Sequence, residues 1–145
     1  MKSLMRQINI ISRCAGTYRA DKLGDTDIKP VHHSFILAIC RHPGISQDEL
    51  SRHIYINKSN VTRNLSYLEE RGYAERRQSE NDKRVILVYP TQKMLDIYPQ
   101  VRSATDECNE YLTEDFSDEE IDVFRNMLER ISERARKYVD SRGDK

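Results

Sequence analysis

Between Ile45 and Gly72 the chain carries two helix starts and one helix stop, set so closely that little freedom remains in how this stretch folds. Ser46 and Glu49 form an S-x-x-E capping box, in which each side chain satisfies a backbone N–H of the other residue, and Ile45 and Leu50 occupy the positions of a hydrophobic staple. The helix predicted from Ser46 ends near Ile54, because only Tyr55 and Ile56 separate it from Asn57, a strong N-cap residue. Gly72 then supplies the left-handed residue that stops the second helix. Two short helices joined by a tight turn are what a helix-turn-helix requires, a description that other αα-hairpins share.

The second of these helices divides its residues unusually. At about 100° per residue, Val61, Leu65 and Leu68 fall within about 60° of one another, a narrow stripe that serves to dock the helix. Around the rest of its first half stand Asn57, Lys58, Ser59, Asn60, Thr62, Arg63, Ser66 and Tyr67. A merely solvated helix favours Glu, Lys and Gln, which have better helix propensity than Ser, Thr and Asn. The choice made here costs helix stability without serving a core, so it predicts a contact surface. A DNA major groove admits an α-helix and offers base edges that Arg, Asn and hydroxyl side chains match.

After Gly72 the pattern changes to YAERRQ, a polar SENDKR and the β-branched run VILVY, which together predict strand, loop and strand. Such a hairpin beside a major-groove helix can reach the adjacent minor groove. There Arg84 and Lys83 suit the negative potential, with Asp82 near enough to orient Arg84. Upstream, Leu4, Ile8, Ile11, Ala15 and Tyr18 recur at helical spacing, LGDTDIKP reads as a connection, and VHHSFILAICRH as a short buried helix. Downstream, Thr91 caps a long helix in which Pro99 predicts a kink or a late start. Ser117 and Glu120 form a second capping box ahead of the stripe Ile121, Phe124, Leu128, Ile131, Ala135 and Tyr138. That stripe runs roughly 26 Å at about 1.5 Å per residue. Little chain is left to cover it, so a partner helix from a second copy is the expected cover.

Net charge is zero, but residues 1–104 hold 17 Lys+Arg against 11 Asp+Glu, and residues 105–145 hold 7 against 13. The first part can face a polyanion; the acidic remainder must face solvent or a basic surface. Cys14, Cys40 and Cys108 are scattered and odd in number, which excludes a paired disulfide framework and predicts a reducing, cytoplasmic setting. No apolar run is long enough to span a membrane, and none resembles a signal peptide. His32, His33, His42 and His53 lack ligand spacing, so no metal or cofactor is expected. With no nucleophile motif and no Gly-rich phosphate loop, the chain does not read as an enzyme.

The order of parts, helix, helix, SQDELSRHI, NKSNVTRNLSYLEERGY, then a wing ending in DKRVILVYPT and two long helices, resembles the MarR family of winged helix-turn-helix transcriptional regulators over essentially the whole chain. Leu65, Leu68, Glu69 and Gly72 match the family's LxxLExxG run, and Asp82 and Arg84 its D-x-R wing signature. Pro90 departs from the expected leucine ahead of the matching Thr91, a change that suits a helix start. The resemblance implies a mostly α fold with a small β-hairpin wing in a single domain over 1–145. Its DNA-binding lobe would span about residues 31–90, and about 1–22 and 91–141 would form a homodimer interface. It further implies a regulator, more often a repressor, that reads a pseudo-palindromic double-stranded DNA operator.

In such families small aromatic or phenolic compounds bind between the dimer helices and the DNA-binding lobe. On chemical type Tyr18, Arg19, His33 and Tyr111 are the effector candidates, with a core or interface role as the ordinary alternative for each. Two other readings stay open: a winged-helix protein-interaction module that does not bind DNA, and a cysteine-based redox sensor. Cys14 flanks the apolar stripe of the first helix, which argues for burial rather than redox access.

Overall fold

The computed structural model describes residues 3–142; residues 1, 2 and 143–145, at the ends of the expected domain, lie outside it. The chain forms two compact units, Met1–Cys108 and Asn109–Lys145.

In the first unit, helix α1 (Leu4–Lys22) is capped by Ser3, whose hydroxyl accepts the Arg6 N–H at 3.2 Å. Of its predicted stripe, Ile8, Ala15 and Tyr18 are half-buried, while Leu4 and Ile11 stay exposed. Cys14 is exposed too, contrary to the burial expected of it, because that face of α1 meets none of its own unit's core. The connection that follows is anchored by buried Leu23 and Ile28 and pinned by Thr26, whose hydroxyl donates to the Leu23 carbonyl at 2.7 Å. Helix α2 (His32–Arg41) then buries His32, His33, Phe35, Ile36, Ala38 and Ile39.

A two-residue strand, β1 (Ile45–Ser46), precedes α3 (Gln47–Ile54). The Ser46–Glu49 capping box forms as expected, with both reciprocal bonds present. Tyr55 takes the left-handed conformation at φ +52°, unusual for a residue with a Cβ. The turn is held there by the Ser51 hydroxyl, which donates to the Ile56 carbonyl at 2.6 Å. Asn57 caps α4 (Lys58–Glu70). At its far end Gly72, at φ +76°, donates to the Glu69 carbonyl and Tyr73 to that of Leu68, the paired bonds of a Schellman stop.

Strands β2 (Ala74–Gln78) and β3 (Ile86–Pro90) make the wing, and β1 adds to it in the antiparallel order β1-β3-β2, with Ile45 opposite Val88 and Arg76 opposite the same residue. The third strand is absent from the sequence reading, in which Ile45 served only as a staple; two residues are too few to show an alternation. Gly44 permits the pairing. It sits at φ +87° with the Tyr89 ring so close that a Cβ would stand 3.2 Å from its hydroxyl. At the base of the wing the Thr91 hydroxyl donates to the carbonyls of Gly72 (2.5 Å) and Tyr73 (2.9 Å), fastening the exit of β3 to the entrance of β2.

Helix α5 (Gln92–Thr113) begins directly after Thr91, so Pro99 lies inside it rather than at a late start. Pro99 is exposed, on the solvent side of the helix. Phe35, Ile36, Ile39, Leu50, Val61, Leu65, Leu68, Val88, Met94 and Val101 close a core that draws on α2, α3, α4, β3 and α5. As predicted, Val61, Leu65 and Leu68 are the residues by which α4 docks.

In the second unit α6 (Asp118–Asp140) is capped by the Ser117–Glu120 box. None of its residues is buried; Phe124, Leu128, Ile131 and Tyr138 of the predicted face are exposed, and so is Met127 beside them.

Candidate nucleic-acid interface

The N-terminal turns of α4 are organised by side chains that bond to their own helix. Asn57 Oδ1 accepts the Asn60 N–H and the Ser59 hydroxyl, both at 2.9 Å. The Thr62 hydroxyl donates back to the Lys58 carbonyl at 3.0 Å, the Arg63 guanidinium donates to the Asn60 side-chain oxygen, and Lys58 Nζ stands 3.3 Å from Asp48 of α3. Asn57, Lys58, Ser59, Thr62 and Arg63 are exposed and Asn60 is half-exposed. Exposed pairs of this kind are weak, so the groups are oriented yet free to exchange partners. From 57 to 67 the segment carries two cationic side chains and no carboxylate. The helix N-terminus adds its own partial positive charge.

Ser66 and Tyr67, the last two residues of the expected surface, are half-buried and have internal partners. The Ser66 hydroxyl accepts from Arg76 Nη2 at 3.1 Å. Tyr67 donates its hydroxyl to the Asp27 carbonyl at 2.6 Å, stacks on His32 with centroids 4.3 Å apart, and lies under the Arg71 guanidinium at 3.5 Å.

On the wing, Asp82 orients Arg84 in the expected way. Its Oδ1 accepts the Arg84 N–H (3.0 Å) and Nε (3.1 Å), and its Oδ2 accepts Nη2 (3.2 Å). These bonds hold the Asp82 carboxyl below its usual range, while the Arg84 side chain remains 91% exposed. Lys83 beside it is exposed as well.

Two further side chains brace this surface: Glu69, known from the sequence only as part of the LxxLExxG run and not for its partner, and Asp27, which the sequence did not single out. Glu69 takes three bonds from Arg76, which hold its carboxyl below the usual range. A signal for this existed: strand alternation puts Arg76 on the face of buried Ala74, where a cation needs a carboxylate partner. Asp27, in the α1–α2 connection, accepts the Tyr73 hydroxyl at 2.5 Å and faces Arg71 Nε at 3.5 Å. Forty-six residues separate that first pair, and no local pattern announces it.

The effector candidates are dispersed. Arg19 lines a shallow depression with Ser12, Arg13, Gly16, Thr17, Ala20, Pro30 and Val31. Tyr18 and His33 of the same unit are not part of that lining, and exposed Tyr111 belongs to the second unit. His33 is buried with neither ring nitrogen bonded, and burial, with Arg19 nearby, pulls its pKa down to about 4. Cys40 is pushed up to about 11 by burial, the wrong direction for a reactive thiolate. His42 and His53 meet edge-to-face at 5.4 Å, although no cluster of three or more His, Cys, Asp or Glu that could hold a metal forms among the described residues. Among those residues no helix is long and apolar enough to cross a membrane.

With this geometry in view, known proteins give a consistent comparison. A family model described as MarR family matches residues 26–85. The HTH-type transcriptional regulator YybA of Bacillus subtilis is 26% identical over 131 residues, 90% of this chain and 87% of that protein. A crystal structure of MarR is 30% identical, covers 99% of this chain and 95% of its own, and superposes with a TM-score of 0.82. A MarR family regulator from Listeria monocytogenes, solved with a 26mer DNA, shares the fold at a TM-score of 0.89 and 24% identity, covering 97% of this chain and 96% of its own.

Proposed function

The chain belongs to the MarR family of transcriptional regulators, and from that premise we propose that it binds double-stranded DNA as a homodimer and represses transcription at a pseudo-palindromic operator. The observation that carries this reading is the surface of α4. Residues 57–63 offer exposed amide, hydroxyl and cationic groups, with no carboxylate, at the positive end of a helix docked by only three buried side chains. In the reading, α4 enters the major groove with Asn57, Lys58, Ser59, Asn60, Thr62 and Arg63 on bases and phosphates. Ser66 supports it from behind, and Tyr67 fixes its rear. Arg84, held by Asp82, reaches the adjacent minor groove with Lys83 on the backbone. The two-fold axis sets the half-sites about one helical turn apart.

The exposed faces of α1 and α6 support a homodimer, and residues 31–90 act as the DNA-binding lobe. A small aromatic or phenolic acid fits the chemistry of Arg19 and Tyr18, and its binding would release the DNA. Working on DNA places the protein in the cytoplasm, as a binding protein rather than an enzyme.

The test is a band-shift titration on duplexes selected from random DNA and on DNA upstream of its own gene, repeated across salt concentrations. Specific binding that weakens with salt supports the reading, because released counterions drive phosphate contact. Absence of binding to every duplex at low salt refutes it and leaves the protein-interaction module.

A further inference from the structure

The wing leaves α4 through residues 71–73, and one carboxylate spans that corner. Glu69 Oε2 accepts the backbone N–H of Arg76 at 3.0 Å, its Oε1 accepts Arg76 Nη2 at 3.0 Å, and the same Nη2 donates to Ser66 one turn earlier on α4. The register makes the backbone bond informative. Thr91 donates to Tyr73 and Ser79 to Val85, so residues 73, 75, 77 and 79 pair with β3 and the N–H of Arg76 points outward from an edge strand. Such an N–H is ordinarily left to water. Here α4 supplies its acceptor.

From this the geometry points to Glu69 as a positioning residue for DNA recognition: it fixes the angle between α4 and the wing, so that the helix and Arg84 engage adjacent grooves of one duplex together. The inference rests on the DNA-binding reading above. Its leverage is simple. Arg84 lies beyond six residues of strand and loop, up to about 20 Å at about 3.3 Å per residue, so a swing of about 10° moves it by about 3 Å, a whole hydrogen-bond length. Glu75 and Arg77 form an ion pair on the same wing at 3.0 Å, but it joins neighbours within β2 and constrains no angle between elements.

The effect also runs against simple electrostatics. Removing a carboxylate beside a polyanion should tighten binding; loss of the clamp should weaken it. The experiment compares Glu69→Ala, Arg76→Ala and the control Glu75→Ala on a selected duplex. Dimethyl sulfate protection reports guanine N7 in the major groove and adenine N3 in the minor groove in one measurement. Amide exchange of Arg76 and the thermal midpoint are followed alongside.

Glu69→Ala is expected to lose about tenfold in affinity, to lose adenine N3 protection while keeping guanine N7 protection, and to exchange the Arg76 amide faster. Arg76→Ala, which keeps the backbone bond to Glu69, should lose less, and Glu69→Gln, which keeps an acceptor, should recover part of the minor-groove protection. Glu75→Ala should protect both grooves as wild type does. Unchanged protection in Glu69→Ala overturns the positioning role alone. Equal loss in both grooves with a matching fall in thermal midpoint also overturns it, as merely structural, and so does the same loss in Glu75→Ala. A wild-type protein that protects no duplex refutes the parent reading and this one with it.

Discussion

Tyr73 donates its hydroxyl to Asp27 Oδ1 at 2.5 Å, tying the α1–α2 connection to the root of the wing. The same aspartate faces Arg71 and, through its backbone, receives Tyr67, so three residues at the rear of α4 and its exit converge on one loop position. Removing either end of the Tyr73 bond, by Tyr73→Phe or Asp27→Ala, should cost about 1 kcal/mol. The double variant should cost less than the sum, since both delete one interaction. Urea unfolding of the four proteins measures this; strict additivity would mean that the bond contributes nothing.

The bond also has a pH signature. It holds the Asp27 carboxyl below its usual value, so its contribution is complete above about pH 4 and is lost as pH falls through the lowered folded value. Burial, then Asp27, pushes the Tyr73 hydroxyl up to about 12, so stability should also fall as pH rises from 10 to 12. Tyr73→Phe should flatten that alkaline fall.

His32 and His33 respond to acid in the opposite sense to a charged surface histidine. Burial, foremost, lowers both to about 4 in the folded state, against 6.5 unfolded. The unfolded chain therefore binds more protons between those values, and stability should decline as pH drops from 6.5 towards 4. His33 has no partner for either nitrogen, so His33→Leu should remove part of the decline and raise stability at pH 7 by about 1 kcal/mol. A variant less stable than wild type at pH 7 would contradict the account.

Two glycines make a matched pair. Gly72→Ala has room, with the nearest atom, Lys93 Cδ, 4.0 Å away, yet its φ of +76° is costly for alanine, and a loss of about 1 kcal/mol or more is expected. Gly16→Ala lies mid-helix without that strain and meets Pro30 at an ordinary 3.7 Å. It should gain about 0.5 kcal/mol or more. Thermal midpoints moving in opposite directions would bear this out.

On DNA, Arg63→Ala and Arg84→Ala should each weaken binding by about 1 to 3 kcal/mol, and Glu70→Ala, on the exposed far end of α4, should leave it unchanged. Fluorescence anisotropy on a selected duplex decides between them. For assembly, Phe124→Lys with Ile131→Lys places charge on the exposed face of α6. Light scattering should then report a monomer with helical content retained, and a dimer for the wild type.

What the sequence disclosed followed the range of the interactions. Ser46–Glu49 and Ser117–Glu120 act over three residues, so both helix starts were legible to the residue, as was the stop at Gly72. The docking stripe of Val61, Leu65 and Leu68 needed only the helical period. Strand β1 was illegible because two residues carry no alternation. The internal partners of Ser66 and Tyr67 come from the wing and the α1–α2 connection, 10 and 40 residues away, so a polar side chain on a helix wheel looked free when it was not. The exposure of Cys14 failed for the complementary reason: an apolar period says which face prefers burial, not whether the same unit supplies the cover.

The Thr91 hydroxyl, whose one hydrogen is shared between the Gly72 and Tyr73 carbonyls, makes the wing a closed cassette. Its entrance and exit are sewn together at the base, so the seven residues from Ser79 to Val85 can change in length without transmitting strain to α4 or to the start of α5. Doubling that tip would cost only about 0.6 kcal/mol of closure entropy, which makes the reach of the wing a parameter adjustable independently of the helix beside it.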